Sequence, residues 1–281
     1  MRTIEFETSK EGKPDPLAPP VTTGGVSKFK NMIFKGEAWK LQKKFTQQLS
    51  WLRFFPAIKG SQYDWMIRLN VFRDKGGVTF VCPTSFDPNA TDIFSVASIW
   101  LRKNNPKPLY RGAKNKDGSP NAESNPDGLK LWSTPYGAAW CIDDGEEDGS
   151  KLRLYFASLY DGSRGGTAGA AHNIVKASEE RDNEPGSPTV GQAIHGDITN
   201  PAAGRLVKVE RSKGDKSEFP SYSIGIGKSA APLMPLVEKL TDAETGMIAP
   251  LEDIIYIPTQ DELHAILRGY IGMSLHKDIF G

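Results

Sequence analysis

Aromatic and basic side chains alternate in several short stretches of this chain. In the stretch KLRLY, Lys151, Arg153 and Tyr155 fall on one strand face and the leucines between them fall on the other. Phe219 and Tyr222 follow the stretch SKGDKSE, which contains two lysines. Flat rings can stack on unpaired bases, and cations can follow the phosphate backbone. These patterns therefore favour a surface that binds single-stranded nucleic acid.

An irregular segment over residues 102–130 carries the densest positive charge. It has seven basic and three acidic residues, a net charge of +4, and structureless segments of this length are usually functional or disordered. Trp132 and Tyr136 follow it among Pro, Ser and Gly, so each either contacts DNA or packs in the core, whereas Trp140 is assigned to the core. The predicted nucleic-acid contacts are Arg102, Lys103, Tyr110, Arg111, Lys114, Lys116, Lys130, Trp132, Tyr136, Lys151, Arg153, Tyr155, Phe219 and Tyr222.

Three strands are predicted before this segment, over residues 50–55, 63–73 and 78–81. In the second strand Trp65 shares a face with Ile67, Leu69 and Val71, and this face is assigned to the core. A helix should follow, capped by Asn89 or Thr91. Its predicted apolar stripe consists of Ile93, Val96, Ala97 and Trp100, with Leu101 beside it.

The second half of the chain is predicted to hold two hairpins and then helices. The first hairpin has an acidic turn, and a glycine-rich stretch then leads into a short helix. The second hairpin begins near residue 204. The last helix should begin with a capping box of Thr259 and Glu262 and end near Gly272.

Composition limits the class of protein. The formal net charge is +1 and the chain has only two cysteines. A uniformly basic surface and a disulfide scaffold are therefore not expected, and a reducing cytoplasm is the predicted location. No run approaches 18 apolar residues and the first residues lack a secretory signal, so neither a membrane span nor a membrane partner is expected.

The order of these elements resembles that of the bacteriophage single-stranded DNA-binding, or helix-destabilising, proteins. The sequence LRFFP at 52–56 is similar to the strand that opens their OB-fold. Lys151 and Tyr155 match a K-x-x-x-Y pattern that supplies stacking residues, and the stretch from Gly204 to Tyr222 is similar to a hairpin that contacts DNA. The final DELHAILRGYIG also resembles their closing segment.

This resemblance, over roughly residues 35–272, implies an α+β protein that is mainly β. It implies an OB-like β-barrel core with a long basic loop at 29–230 and a C-terminal helical segment at 231–281. Residues 1–28 are polar and rich in Pro, Gly and Thr, which predicts a flexible arm. The best-known member of the family holds zinc with three cysteines and a histidine. Here only Cys82 occurs in that region, so no metal and no cofactor are predicted. The family's acidic C-terminal tail is also absent from this sequence, which ends SLHKDIFG.

No motif indicates catalysis, and no catalytic residue is predicted. Gly227-Lys228-Ser229 lacks the glycine that a phosphate-binding loop requires at position 222. The leading hypothesis is a sequence-tolerant single-stranded DNA-binding protein that acts in phage DNA replication or recombination, with phage replication proteins as partners and self-association left open. The alternatives are a cofactor that recruits a phage RNA polymerase to single-stranded DNA and a structural protein that does not bind DNA.

Overall fold

The computed structural model describes residues 33–43, 49–73, 78–105, 129, 131–145, 149–162, 168–185, 187–212 and 221–281. The strands within these ranges are Leu49–Phe54 (β1), Ile67–Arg73 (β2), Thr79–Val81 (β3), Thr134–Asp143 (β4), Lys151–Ser158 (β5), Arg205–Ser212 (β6) and Ser221–Ala230 (β7). The α-helices are Ile93–Asn104 (α1), Ala170–Ser178 (α2), Met234–Val237 (α3), Asp242–Thr245 (α4), Leu251–Ile254 (α5) and Gln260–Phe280 (α6), and two 3-10 helices span Gly36–Leu41 and Pro83–Ser85. The predicted mixture of strands and helices is confirmed.

Strand β4 is the centre of a forked antiparallel sheet. It pairs with β5 on one side, and on its other side its first half pairs with β2 and its second half with β1. One branch continues from β2 to β3 and the other from β1 through β6 to β7. Among the strands that the structure describes, β3, β5 and β7 form edges. The sheet is therefore open, and the expected OB-like barrel is not observed as a closed structure.

One face of the sheet is covered by the C-terminal segment. Ile67, Leu69 and Val71 of β2 are buried on this face, as their alternation predicted. Trp140 of β4 is also buried, and its Nε1–H donates a hydrogen bond of 2.8 Å to the carbonyl of Ala249. The predicted core assignment of Trp140 is confirmed. Residues from Leu233 to Ile255 complete this cluster, so they form part of the core.

The opposite face curves around helix α2. This helix contacts β7, β5 and β4, and Ile174 lies in one buried cluster with Phe54 of β1 and Val207 of β6. The two edge strands β5 and β7 are therefore bridged by α2. The five-stranded part of the sheet, β5-β4-β1-β6-β7, encloses this second core.

A third cluster joins α1 and α6 to the outer strands. The rings of Phe72, Phe80 and Phe94 lie about 5 Å apart at its centre. Two details of the predicted α1 are wrong. The N-cap is Asp92, one residue after Thr91, and its Oδ1 accepts hydrogen bonds from the backbone N–H groups of Phe94 and Ser95. Val96 is 41% exposed, so the stripe is completed by Phe94.

Helix α6 begins as predicted, with a reciprocal capping box between Thr259 and Glu262. Gly272 has a φ of 81° and a ψ of 161°, an extended conformation with positive φ that is favourable only for glycine and that interrupts the helix. The chain then continues as a second helical stretch to Phe280. His264 and His276, on the two sides of this bend, are joined by a hydrogen bond of 2.9 Å. In the described residues, no helix has both the length and the apolar composition needed to cross a bilayer.

A buried arginine and a buried ion pair connect the sheet to the segments around it. The Arg53 side chain donates to four backbone carbonyls, those of Phe54, Ile198, Asn200 and Ala231. Burial lowers the pKa of this guanidinium, while the charge of Asp197 acts in the opposite direction. In addition, the Lys43 ammonium forms a buried ion pair with the Asp143 carboxylate at the end of β4.

Candidate nucleic-acid interface

The residues at the two ends of the basic segment are buried in the same core cluster. Leu101, near the end of α1, and Leu131, just before β4, are both fully buried in the cluster of α1 and α6. Arg102 and Lys103 follow Leu101 and are exposed, and Trp132 follows Leu131 with 42% of its surface exposed. The exposed cations and the exposed indole therefore lie where the segment leaves and rejoins the folded core.

The two aromatic residues after the basic segment differ in their availability. Trp132 is exposed, as a stacking residue must be. Tyr136 is half-buried, and its ring stacks on Phe156 with the centroids 4.7 Å apart and the planes 15° apart. One face of the Tyr136 ring is therefore occupied by its own protein.

The cations of β5 lie at the far end of the β4–β5 pair. Lys151 is opposite Asp143 and Arg153 is opposite Cys141, and both cations are half-buried. Tyr136 and Asp143 are seven residues apart on β4, which corresponds to about 24 Å. The structure thus separates Lys151 and Arg153 from Trp132 and Tyr136, so any interface that includes both groups must be extended.

The prediction for Tyr155 is corrected by the structure. Its side chain is fully buried, and its ring meets the ring of Phe54 edge to face with centroids 5.3 Å apart. Burial raises the pKa of its hydroxyl, and the neighbouring Cys141 and Tyr222 groups raise it further. Tyr155 cannot stack on a base in this structure, because the curved sheet and α2 enclose it. The apolar run Leu154 to Ala157 is the sequence signal for a strand buried on both faces.

The remaining predicted contacts divide into two groups. Tyr222 is half-buried and packs against the cluster that contains Tyr155. Tyr110, Arg111, Lys114, Lys116, Lys130 and Phe219 lie outside the described residues, so their roles stay predictions.

Sequence reasoning missed a cleft beside the first half of β4. Trp65, which the strand pattern assigned to the core, is half-buried and lines this cleft of about 550 Å³ together with Arg68 and residues from the end of α2. The regular strand begins only at Ile67, so the alternation before that residue did not apply. The polar stretch at residues 60–64 was the sequence signal that the strand begins later than its alternation suggested.

The two thiols are free and buried. Burial, reinforced by the charge of Asp92, raises the pKa of Cys82 to about 12, and burial also raises the pKa of Cys141. Such thiols are protonated and unreactive at neutral pH. Within the described ranges, no group of three or more His, Cys, Asp or Glu side chains is arranged to hold a metal ion.

No protein-family model matches this chain, and no curated protein is significantly similar to it. Its function is therefore inferred from its own fold and surface.

Proposed function

We propose that this protein binds single-stranded DNA with little sequence preference. The contacts come from the basic segment at 102–130, Trp132, the β4–β5 strands and the connection between β6 and β7. The resemblance described above further suggests a role in phage DNA replication or recombination. The protein acts without catalysis in this proposal.

The strand order supports this proposal more than any other observation. In the order β6-β1-β4-β5, the last strand in sequence returns to lie beside the first, which is the spatial order of a Greek key. Strand β7 adds to β6, and α2 spans the gap between β7 and β5. A five-stranded, partly open Greek-key barrel is the architecture of OB-folds. Strands β2 and β3 are then an insertion between the first and second barrel strands.

This interpretation assigns a common role to the basic segment at 102–130 and to the stretch between β6 and β7. In OB-folds, oligonucleotides contact the second and third strands and the loops that join strands one to two and four to five. The first of these connections corresponds to β1–β4 and contains the segment of net charge +4. The second corresponds to residues 213–220 between β6 and β7, which include two lysines and Phe219. Fold alone does not define function, but the positive charge of the first connection and the aromatic residues Tyr110 and Phe219 agree with binding to nucleic acid.

The Trp132→Ala variant tests the stacking part of this proposal. Loss of an exposed indole that stacks on a base should weaken binding to oligo-dT by about 1–3 kcal/mol, which can be measured by fluorescence anisotropy. Trp39→Ala is the matched control, because Trp39 is similarly exposed (52%) but lies on a different element. Equal effects of the two substitutions would contradict the assignment of Trp132.

A further inference from the structure

The cleft beside β4 has the dimensions and the lining of a site for one small planar ligand. It lies between the residues that lead into β2 and the C-terminal end of α2, and Asp197 lies on its rim. Its volume of about 550 Å³ is within the range of small-ligand sites. Arg68 lies at its edge and is opposite Gly137 in the pairing of β2 with β4, one residue from Tyr136. Tyr136 itself points to the other face of the sheet, but Leu159, which directly follows β5, also lines the cleft. The cleft therefore lies beside the β4–β5 pair of the proposed DNA-binding surface.

The Trp65 indole forms a fixed aromatic wall of this cleft. Its ring meets the buried ring of Phe54 edge to face at 5.1 Å, and Phe54 is in turn held by Tyr155. Because both supporting rings are buried, the orientation of Trp65 is set before any ligand binds. A base that enters the cleft can stack on this wall without a cost for ordering the side chain.

The charges in the cleft favour a ligand edge that donates hydrogen bonds. Three carboxylates and one guanidinium, that of Arg68, line it. Oδ1 of Asp197 already accepts from the N–H and the hydroxyl of Thr199, and Oδ1 of Asp64 accepts from the N–H of Trp65. Within the described part of the chain, no hydrogen bond engages the carboxylate of Glu179. Glu179 is exposed at the end of α2, so both of its oxygens are available as acceptors.

We propose that this cleft receives one unpaired nucleobase and prefers guanine. Guanine presents two adjacent donors, N1–H and the N2 amino group, which match the two oxygens of one carboxylate. Adenine and cytosine place an acceptor beside their single amino group, and thymine has one donor between two acceptors. The base stacks on Trp65, its Watson–Crick edge meets Glu179, and Arg68 meets the adjoining phosphate. This inference rests on the proposed function.

Fluorescence anisotropy with labelled oligonucleotides tests the preference. The probes are a thymidine oligonucleotide and the same oligonucleotide with one central guanine, adenine or cytosine. We expect the guanine probe to bind about tenfold more tightly than the thymidine probe. Glu179→Gln should reduce the affinity for the guanine probe to that for the thymidine probe, because an amide has one acceptor oxygen where a carboxylate has two, and Trp65→Leu should weaken the guanine probe more than any other probe. Glu180→Gln is the matched control, because this adjacent exposed carboxylate lines a different cleft and should preserve the preference.

The possible failures are distinguishable. Equal affinity of the wild-type protein for all four probes would overturn the guanine site while leaving single-stranded DNA binding intact. Loss of the preference in Glu180→Gln to the same extent as in Glu179→Gln would overturn the assignment of Glu179. Binding of an arginine-rich peptide that requires Glu179, without any guanine preference, would identify the cleft as a site for cationic protein segments and would also overturn it. A wild-type protein that binds no probe would overturn both proposals.

Discussion

Replacing Arg53 by leucine is expected to lower the free energy of unfolding by about 4 kcal/mol. The guanidinium donates to carbonyls of β1, of the loop before β6 and of the residue after β7, including 2.7 Å to Ala231 and 3.0 Å to Ile198. Leucine would leave these carbonyls without their donor in a buried site, and each unsatisfied buried group costs about 1–3 kcal/mol. The strands and loops that Arg53 joins would lose their common anchor.

Chemical denaturation monitored by circular dichroism measures this loss, and the melting temperature should fall by about 10 °C. Arg73→Leu is the matched control, because Arg73 is an exposed arginine at the end of β2, and it should change stability by less than about 0.5 kcal/mol. Gly204→Ala should also destabilise, because a Cβ at Gly204 would lie 2.2 Å from Nη2 of Arg53. A change below about 1 kcal/mol in Arg53→Leu would contradict the role assigned to these hydrogen bonds.

Breaking the Lys43–Asp143 ion pair should have an effect of similar size. Both side chains are almost completely inaccessible to solvent, and Asp143 also accepts a hydrogen bond from the N–H of Gly145 in the following turn. Asp143→Ala removes the carboxylate that neutralises a buried ammonium, which should cost about 3–5 kcal/mol. Replacing both residues, as Lys43→Met with Asp143→Leu, should recover much of this loss, because no buried charge then remains.

A double-mutant cycle by urea denaturation measures the coupling between the two residues. The exposed pair Lys208–Glu210 on β6 provides the comparison, with side-chain exposures of 37% and 53%, and Glu210→Gln should change stability by less than about 1 kcal/mol. Additive effects at Lys43 and Asp143 would show that the two charges do not stabilise one another.

The sequence was most informative where structure depends on neighbours in the chain. The alternation at Ile67, Leu69 and Val71 predicted a buried strand face, and the Thr259–Glu262 spacing predicted the start of α6, because both signals are local. The partners of Arg53 lie as far as 178 residues away. No local pattern could therefore indicate that this cation is buried.

The candidate site shows the same difference between features that local sequence predicts and contacts that only the fold creates. Alternation correctly separated the two faces of β5, but whether Tyr155 meets solvent depends on α2, which packs over that face from elsewhere in the chain. The cleft beside β4 likewise combines Trp65, Glu179 and Asp197, which only the fold brings together. In contrast, Leu101 was predicted beside the apolar stripe of α1, and the structure adds that Leu131, at the other end of the basic segment, enters the same cluster.

The most direct test of single-stranded DNA binding is a titration of oligo-dT at a series of salt concentrations, with duplex DNA as the comparison. We predict binding at low salt that weakens steadily as salt rises, because each phosphate contact releases counterions. For single strands, each contact steepens the fall of log K with log salt concentration by about 0.7. Replacing Arg102 and Lys103 by alanine should reduce this slope, whereas replacing the exposed Lys277 at the end of α6 should not. No binding to oligo-dT at low salt, or an affinity that does not change with salt, would contradict the proposed function.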